Sequence, residues 1–148
     1  MPHIERTAHV GWDGNHARGA GTIDAQSGAF VRLPYSLPSR VGQPGGNTSP
    51  EELLAGAHGG CITMSIVGEL TAAGTPPGRI DTSCTIVMDE VEGQGHQIVG
   101  SRVEIVAHVD GVDDPALQKA LADAHAGCPF SQLLLRAGAD VSVSARLA

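Results

Sequence analysis

Apolar and polar positions alternate with the period of a strand near both ends of the chain and fall into helical blocks between them. Residues 6–13 alternate weakly, Thr7, His9 and Gly11 against Ala8, Val10 and Trp12, then give way to a loop marked by Asn15, Gly19 and Gly21. Residues 22–33 read as a hairpin turning at Ser27-Gly28. Prolines 34, 38 and 44 with glycines 42, 45 and 46 predict an irregular loop over 34–48, whose one charged residue is Arg40. The longest apolar block follows, and its start is well marked. Ser49 is an N-cap type, Pro50 suits the first helical position, and Glu52 completes an S-x-x-E capping box, which leaves Glu51 for other work. The helix should run to about residue 73, because Gly74 and Pro76-Pro77 stop it. Between Glu52 and Glu69 only His58 and Cys61 are ionisable, so the helix is expected to be buried nearly all round.

Beyond it, residues 80–91 and 98–109 are Val- and Ile-rich strand candidates joined by a turn at 92–95. Asp113 caps a helix that Gly127 should end, and Pro129 opens a second, short helix with Cys128 near its N-cap. Residues 140–146 alternate Val and Ser as a closing half-exposed strand. Strands at both ends around helices predict an α+β fold in one domain, 1–148, with antiparallel sheets and the long central helix packed on a sheet face. Gly56 and Gly60 share one face of that helix and favour a close neighbour, most simply another helix.

Composition narrows the function. The 148-residue chain carries a formal charge of −7, with a pI near 5.3. It has no basic stripe to displace counterions from phosphates, which argues against nucleic acid or an anionic membrane as a partner. The first residues lack the pattern of a signal peptide, and no uninterrupted run of about 18 apolar residues suggests a membrane span, so a cytoplasmic protein is expected. No glycine-rich phosphate loop is present and no cofactor is expected. Three cysteines at wide spacing, Cys61, Cys84 and Cys128, do not form a secreted disulfide framework.

Cys61 and Cys128 are the candidates for chemistry, each on a helix, although a lone helical cysteine is as a rule a packing residue. Backbone N–H groups at the start of a helix favour a thiolate at Cys128. Arg40 and Glu51 strengthen the case for Cys61 where the four converge. Cys84 reads as a small strand residue, and Asp89-Glu90-Val91-Glu92 as a solvated strand end. His58-x-x-Cys61 and His125-x-x-Cys128 share one spacing, so a tetrahedral Cys2His2 zinc site from His58, Cys61, His125 and Cys128 is the alternative from another class.

Arg40, Asn47, the run Pro50-Glu51-Glu52-Leu53, the run Ala57-His58-Gly59-Gly60-Cys61 and the run Gly127-Cys128-Pro129-Phe130-Ser131-Gln132 resemble the OsmC/Ohr family (osmotically inducible protein C and organic hydroperoxide resistance protein) of thiol-dependent hydroperoxide reductases. The position of Arg40, just ahead of the helix, resembles the OsmC branch. The resemblance implies an antioxidant peroxidase of the stress response. In it Cys61 is the peroxidatic thiol, Cys128 the resolving thiol, Arg40 the cation beside the peroxidatic sulfur and Glu51 the carboxylate that holds Arg40. It also implies an intertwined homodimer and an external dithiol of the lipoyl type as reductant. The chemistry suits these residue types. A guanidinium acidifies a neighbouring thiol and can hold the peroxide oxygens, and a sulfenic acid on Cys61 would be closed by Cys128 to a Cys61–Cys128 disulfide. Glu51 and Cys61 lie ten residues apart on one helix, about 15 Å at 1.5 Å per residue, so either Glu51 of one copy organises the cation at Cys61 of the other or a kink at Gly59-Gly60 brings the two together within one chain. Ile62 stands where many relatives have an aromatic residue. A pocket of Ile62, Leu and Met side chains with Phe130 would favour organic or lipid hydroperoxides over hydrogen peroxide by burying the tail. A non-catalytic ligand-binding relative is the third reading.

Overall fold

The computed structural model describes residues 2–148, which divide into two compact units, one ending at Leu53 and the other running from Leu54 to Ala148. In the first, strands β1 (Ala8–Asp13), β2 (Ala20–Ala25) and β3 (Leu33–Tyr35) form an antiparallel sheet in that order. Gly21 is required in the middle strand. A Cβ there would sit 2.5 Å from Tyr35 Cε1 and 2.8 Å from Trp12 Cε3, the two rings that close over it from either side with centroids 5.5 Å apart. The hairpin therefore forms, but its second strand starts later than the sequence predicts. Arg32 adopts a φ of 56°, which breaks the extended run, and Asp24 Oδ1 accepts the Arg32 N–H at 2.9 Å.

The expected irregular loop over 34–48 contains more order than its prolines suggest. Pro34 lies on β3, an edge strand where no N–H is needed, and the Thr48 N–H returns to bond Pro34 O at 2.9 Å. Helix α1 (Leu37–Val41) follows, capped by Ser36, whose hydroxyl accepts the Ser39 N–H while Ser39 Oγ accepts the Ser36 N–H. Pro38 pre-sets the first turn instead of breaking it. Arg40 is thereby placed on a helix.

Helix α2 (Pro50–Ala72) begins in the first unit and passes into the second. Its cap is half of the expected box: Ser49 Oγ accepts the Glu52 N–H at 3.2 Å, while the Glu52 carboxylate takes the Thr48 hydroxyl at 2.9 Å. The helix ends as predicted, Gly74 at φ 83° allowing Thr75 N–H to reach back to Leu70 O at 2.9 Å.

In the second unit, β4 (Arg79–Val91), β5 (Gly95–His108) and β6 (Asp140–Leu147) form a sheet in that order. The β4–β5 pair is antiparallel, with a register shift between Val87 and Met88. The expectation of antiparallel sheets fails at β6, which runs parallel to β5 from Gly100↔Asp140 to Ala107↔Leu147. A parallel neighbour needs a crossover long enough to carry the chain back, and α3 (Asp114–Gly127) with α4 (Pro129–Arg136) supplies it. Strand alternation cannot reveal direction, since both arrangements present every second side chain to one face.

Ile62, Ile66 and Leu70 of α2 pack with Val103 and Ile105 of β5 and Leu117 of α3, all 2% exposed or less. Burial of each such side chain is worth roughly 1.5–3 kcal/mol. Gly59 makes this approach possible, as a Cβ there would lie 3.2 Å from the Cys84 Cβ on β4. Within this chain the close approach is to a strand, through Gly59, while around Gly56 and Gly60 a Cβ would find nothing within 4 Å. The expectation of a helix buried nearly all round is also corrected. Within this chain α2 is buried along one stripe, while Met64 on another face is 78% exposed. By length and a mean hydropathy of 1.3 this helix could cross a membrane. Its apolar stripe, however, is already used in the core.

Candidate active site

Two pairs of the expected site residues meet, each inside one unit. In the first unit the short α1 carries Arg40 and the first turn of α2 carries Glu51. The Arg40 Nε donates to both carboxylate oxygens, at 3.0 and 3.1 Å, and Nη2 donates to Oε1 at 2.5 Å. This is a forked pair, fixed in angle as well as distance. Burial works to raise the Glu51 pKa, but the hydrogen bonds and charge of Arg40, with the Glu51 backbone N–H and the Ser49 hydroxyl, outweigh it and hold the carboxyl below its usual range. The Glu51 hydrogen bonds in turn raise the pKa of Arg40. Beside the guanidinium lies an open cavity of about 440 Å³ whose lining includes Trp12, His16, Tyr35 and Leu37.

In the second unit the thiols converge. Cys61, a full turn beyond His58 on α2, and Cys128, which ends α3 and caps α4, have their sulfurs 3.2 Å apart although 67 residues separate them. Both are free thiols, Cys128 fully buried and Cys61 half-buried. At 3.2 Å the sulfurs are hydrogen-bonded and are about 1.2 Å from bonding distance. Their ionisation is divided unequally. Burial raises the pKa of Cys61, and the hydrogen bond with Cys128 raises it further. Burial also pushes Cys128 up, but the Ser131 backbone N–H, the hydrogen bond with Cys61 and the Ser131 hydroxyl together bring it below the ordinary thiol value. The expected N-cap role of Cys128 is seen directly, its sulfur receiving the Ser131 N–H at 3.5 Å. The Phe130 backbone N–H also favours charge on both sulfurs. None of the groups that set the Cys61 pKa is a cation.

His58 is fully buried, and both of its nitrogens are occupied. Nδ1 lies 2.7 Å from Ser101 Oγ on β5 and Nε2 lies 2.8 Å from Ser131 Oγ on α4. Burial, then the neighbouring His125, lowers its pKa and keeps it neutral at pH 7. With both nitrogens bound to hydroxyls, His58 cannot ligate a metal. Among the described residues no three His, Cys, Asp or Glu side chains converge where a metal could be held, so the His58, Cys61, His125 and Cys128 zinc site is not assembled. Sequence reasoning missed Ser101 and, although Ser131 lies in the run that carries the family resemblance, gave it no role. Serines carry no signal of their own, and His58 found them only through the packing of α2 against β5 and α4.

The family model described as OsmC-like protein matches residues 42–144. The chain is 34% identical to the peroxiredoxin OsmC of Escherichia coli over 132 residues, covering 88% of this chain and 90% of that one. It is 28% identical over 144 residues to the organic hydroperoxide resistance protein of Xanthomonas axonopodis pv. citri, covering 93% and 89%. The crystal structure of the organic hydroperoxide resistance protein OhrB of Bacillus subtilis has the same fold, with a TM-score of 0.73 at 21% identity over 95% of this chain and 98% of that one.

Proposed function

Because the chain belongs to the OsmC-like protein family, we propose that it is a thiol-dependent peroxidase that reduces organic hydroperoxides to alcohols. The observation that carries this reading is the 3.2 Å approach of the Cys61 and Cys128 sulfurs at the start of α4. Cys61 acts first. Its thiolate attacks the terminal oxygen of the hydroperoxide, the O–O bond breaks, and the alkoxide takes a proton and leaves as the alcohol, with Cys61 oxidised to the sulfenic acid. Cys128 then attacks the oxidised sulfur, the S–O bond breaks, and the departing hydroxide is protonated to water as the Cys61–Cys128 disulfide forms. An external dithiol reduces that disulfide by two exchange steps and leaves as its own disulfide; the family resemblance implies a lipoyl group in this role. The cycle suits a reducing, cytoplasmic setting, where the free thiols persist.

The first step needs a cation at Cys61, and its own unit offers none among the groups that set its pKa. Arg40 of a second copy fills this role in our reading. In a two-fold homodimer formed across the open face of α2, with Gly56, Gly60 and Met64 in contact, the Arg40–Glu51 fork of one protomer would meet the thiols of its partner. The guanidinium would draw the shared negative charge onto Cys61 and later hold the alkoxide. Trp12, Tyr35 and Leu37 beside Arg40 would receive an organic tail.

Reaction of the reduced protein with one equivalent of tert-butyl hydroperoxide, followed by intact-mass and peptide mapping, tests the cycle. Wild type should lose two hydrogens and give a Cys61–Cys128 crosslinked peptide, while Cys128→Ser should gain one oxygen on Cys61. Thiols inert to the hydroperoxide in fully reduced, folded protein would overturn the reading.

A further inference from the structure

The peroxidase cycle leaves unexplained a run of polar groups that starts at the half-buried Cys84 and ends, through buried side chains, at the thiol pair. Cys84 Sγ on β4 is 3.6 Å from Ser101 Oγ, Ser101 Oγ is 2.7 Å from His58 Nδ1, and His58 Nε2 is 2.8 Å from Ser131 Oγ. The Ser131 backbone N–H reaches the Cys128 sulfur at 3.5 Å, and the Ser131 hydroxyl beside it favours charge on that sulfur. Ser101 is 2% exposed, and His58, Ser131 and Cys128 are fully buried. Water cannot replace any of these bonds without rearrangement, so their directions must agree with one another.

A hydroxyl has one proton to give. When Cys128 is anionic, the proton of Ser131 Oγ points to sulfur, and the oxygen must then accept from His58 Nε2–H. That leaves His58 Nδ1 unprotonated, to accept from the Ser101 hydroxyl, whose oxygen in turn takes the Cys84 S–H. Every donor in the run then faces Cys128. The opposite tautomer would turn the Ser131 hydroxyl towards the imidazole and leave the sulfur with the backbone N–H groups and the Cys61 thiol as its donors. A neutral imidazole can make this choice, and burial keeps His58 neutral.

We propose that His58 is the positioning residue of the resolving thiol: its Nε2–H holds the Ser131 hydroxyl in the orientation that donates to Cys128 Sγ, which favours the thiolate there for attack on oxidised Cys61. This inference rests on the peroxidase reading for its role in the cycle, although the hydrogen-bond direction stands apart from it. Two devices then compete for one negative charge on the sulfur pair. The guanidinium favours Cys61 for the peroxide step, and His58 with Ser131 favours Cys128 for disulfide closure, when Cys61 has become a sulfenic acid.

The test reads Cys128 ionisation directly, through its 13Cβ chemical shift against pH in cysteine-labelled protein carrying Cys61→Ser, with His58→Phe, His58→Gln and Ser131→Ala compared. His58→Phe and Ser131→Ala should each raise the midpoint by about one pH unit, a tenfold loss of thiolate at fixed pH, and His58→Gln, whose amide N–H can replace Nε2–H, should recover most of it. In protein retaining Cys61, rapid-quench mapping should show disulfide closure slowed about tenfold relative to sulfenic acid formation in the same two variants. An unchanged midpoint in Ser131→Ala overturns the proposal even where His58→Phe does not fold. A rise in His58→Phe that His58→Gln does not relieve also overturns it, since packing alone would then explain the histidine. Failure of Cys61 to react with hydroperoxide would sink the proposed function but leave the Cys128 midpoints to be judged by themselves.

Discussion

The Arg40–Glu51 corner and the Cys61–Cys128 pair are built in opposite ways. The first is local: eleven residues separate its members, a one-turn helix and the start of a long one bring them together, and each charge meets its opposite in a fork. The second spans 67 residues and depends on α2 and the α3–α4 junction being held against the sheet. The first unit has a guanidinium and no cysteine, while the second has all three cysteines and no cation among the groups that set the Cys61 pKa. One region therefore offers a finished electrostatic part, the other a nucleophile still short of activation. In the proposed homodimer such a division would give the second copy a chemical purpose beyond stability, because charge complementation would occur only on assembly.

The sharpest way to break this comparison is at the cation. Arg40→Met should lower kcat/KM for tert-butyl hydroperoxide by about 10³-fold, and Arg40→Lys by about 10²-fold, since lysine keeps the charge but loses the fork. Equal activity in Arg40→Met and wild type would show that the thiols need no help from the first unit. Next come the two faces of α2. Ile66→Ala, on the buried stripe, should cost about 2–5 kcal/mol in urea unfolding. Met64→Asp, on the open face, should leave that unit folded but shift sedimentation from dimer to monomer and reduce peroxidase activity with it. A Met64→Asp protein that is monomeric and fully active would separate assembly from catalysis.

The smallest effect concerns pH. The folded Glu51 carboxyl titrates below its unfolded value, so its stabilising contribution is fully present above the ordinary carboxylate pKa of about 4.3 and is lost as pH falls through the lower, folded value. Urea midpoints of wild type and Glu51→Gln should therefore differ at neutral pH and converge as pH is taken below that range. A difference that stays constant through the acid range would mean that Glu51 acts by packing and not by charge.

Much of this architecture was legible in residue order. The start of α2 at Ser49-Pro50, its end at Gly74, the Asp113 cap and the Cys128 N-cap are local signals, since capping and turn formation involve groups within a few residues of each other. So was the likeness carried by Arg40, Glu51, Cys61 and Cys128. Other features were hidden for identifiable reasons. The one-turn α1 lay under a dense run of proline and glycine, and the direction of β6 leaves no trace in alternation. The open face of α2 looked like core because apolar side chains signal burial without naming the partner.

By itself, the sequence determined most of the elements, the ends of α2 and the candidate chemistry, because each depends on neighbours along the chain. Only the tertiary structure decided that Cys61 and Cys128 stand 3.2 Å apart, and that His58 lies between Ser101 and Ser131. It also decided that Gly59, and not Gly56 or Gly60, meets the sheet. Those outcomes depend on how residues far apart along the chain pack together, and a short polar or small side chain carries no local mark of the partner it will meet.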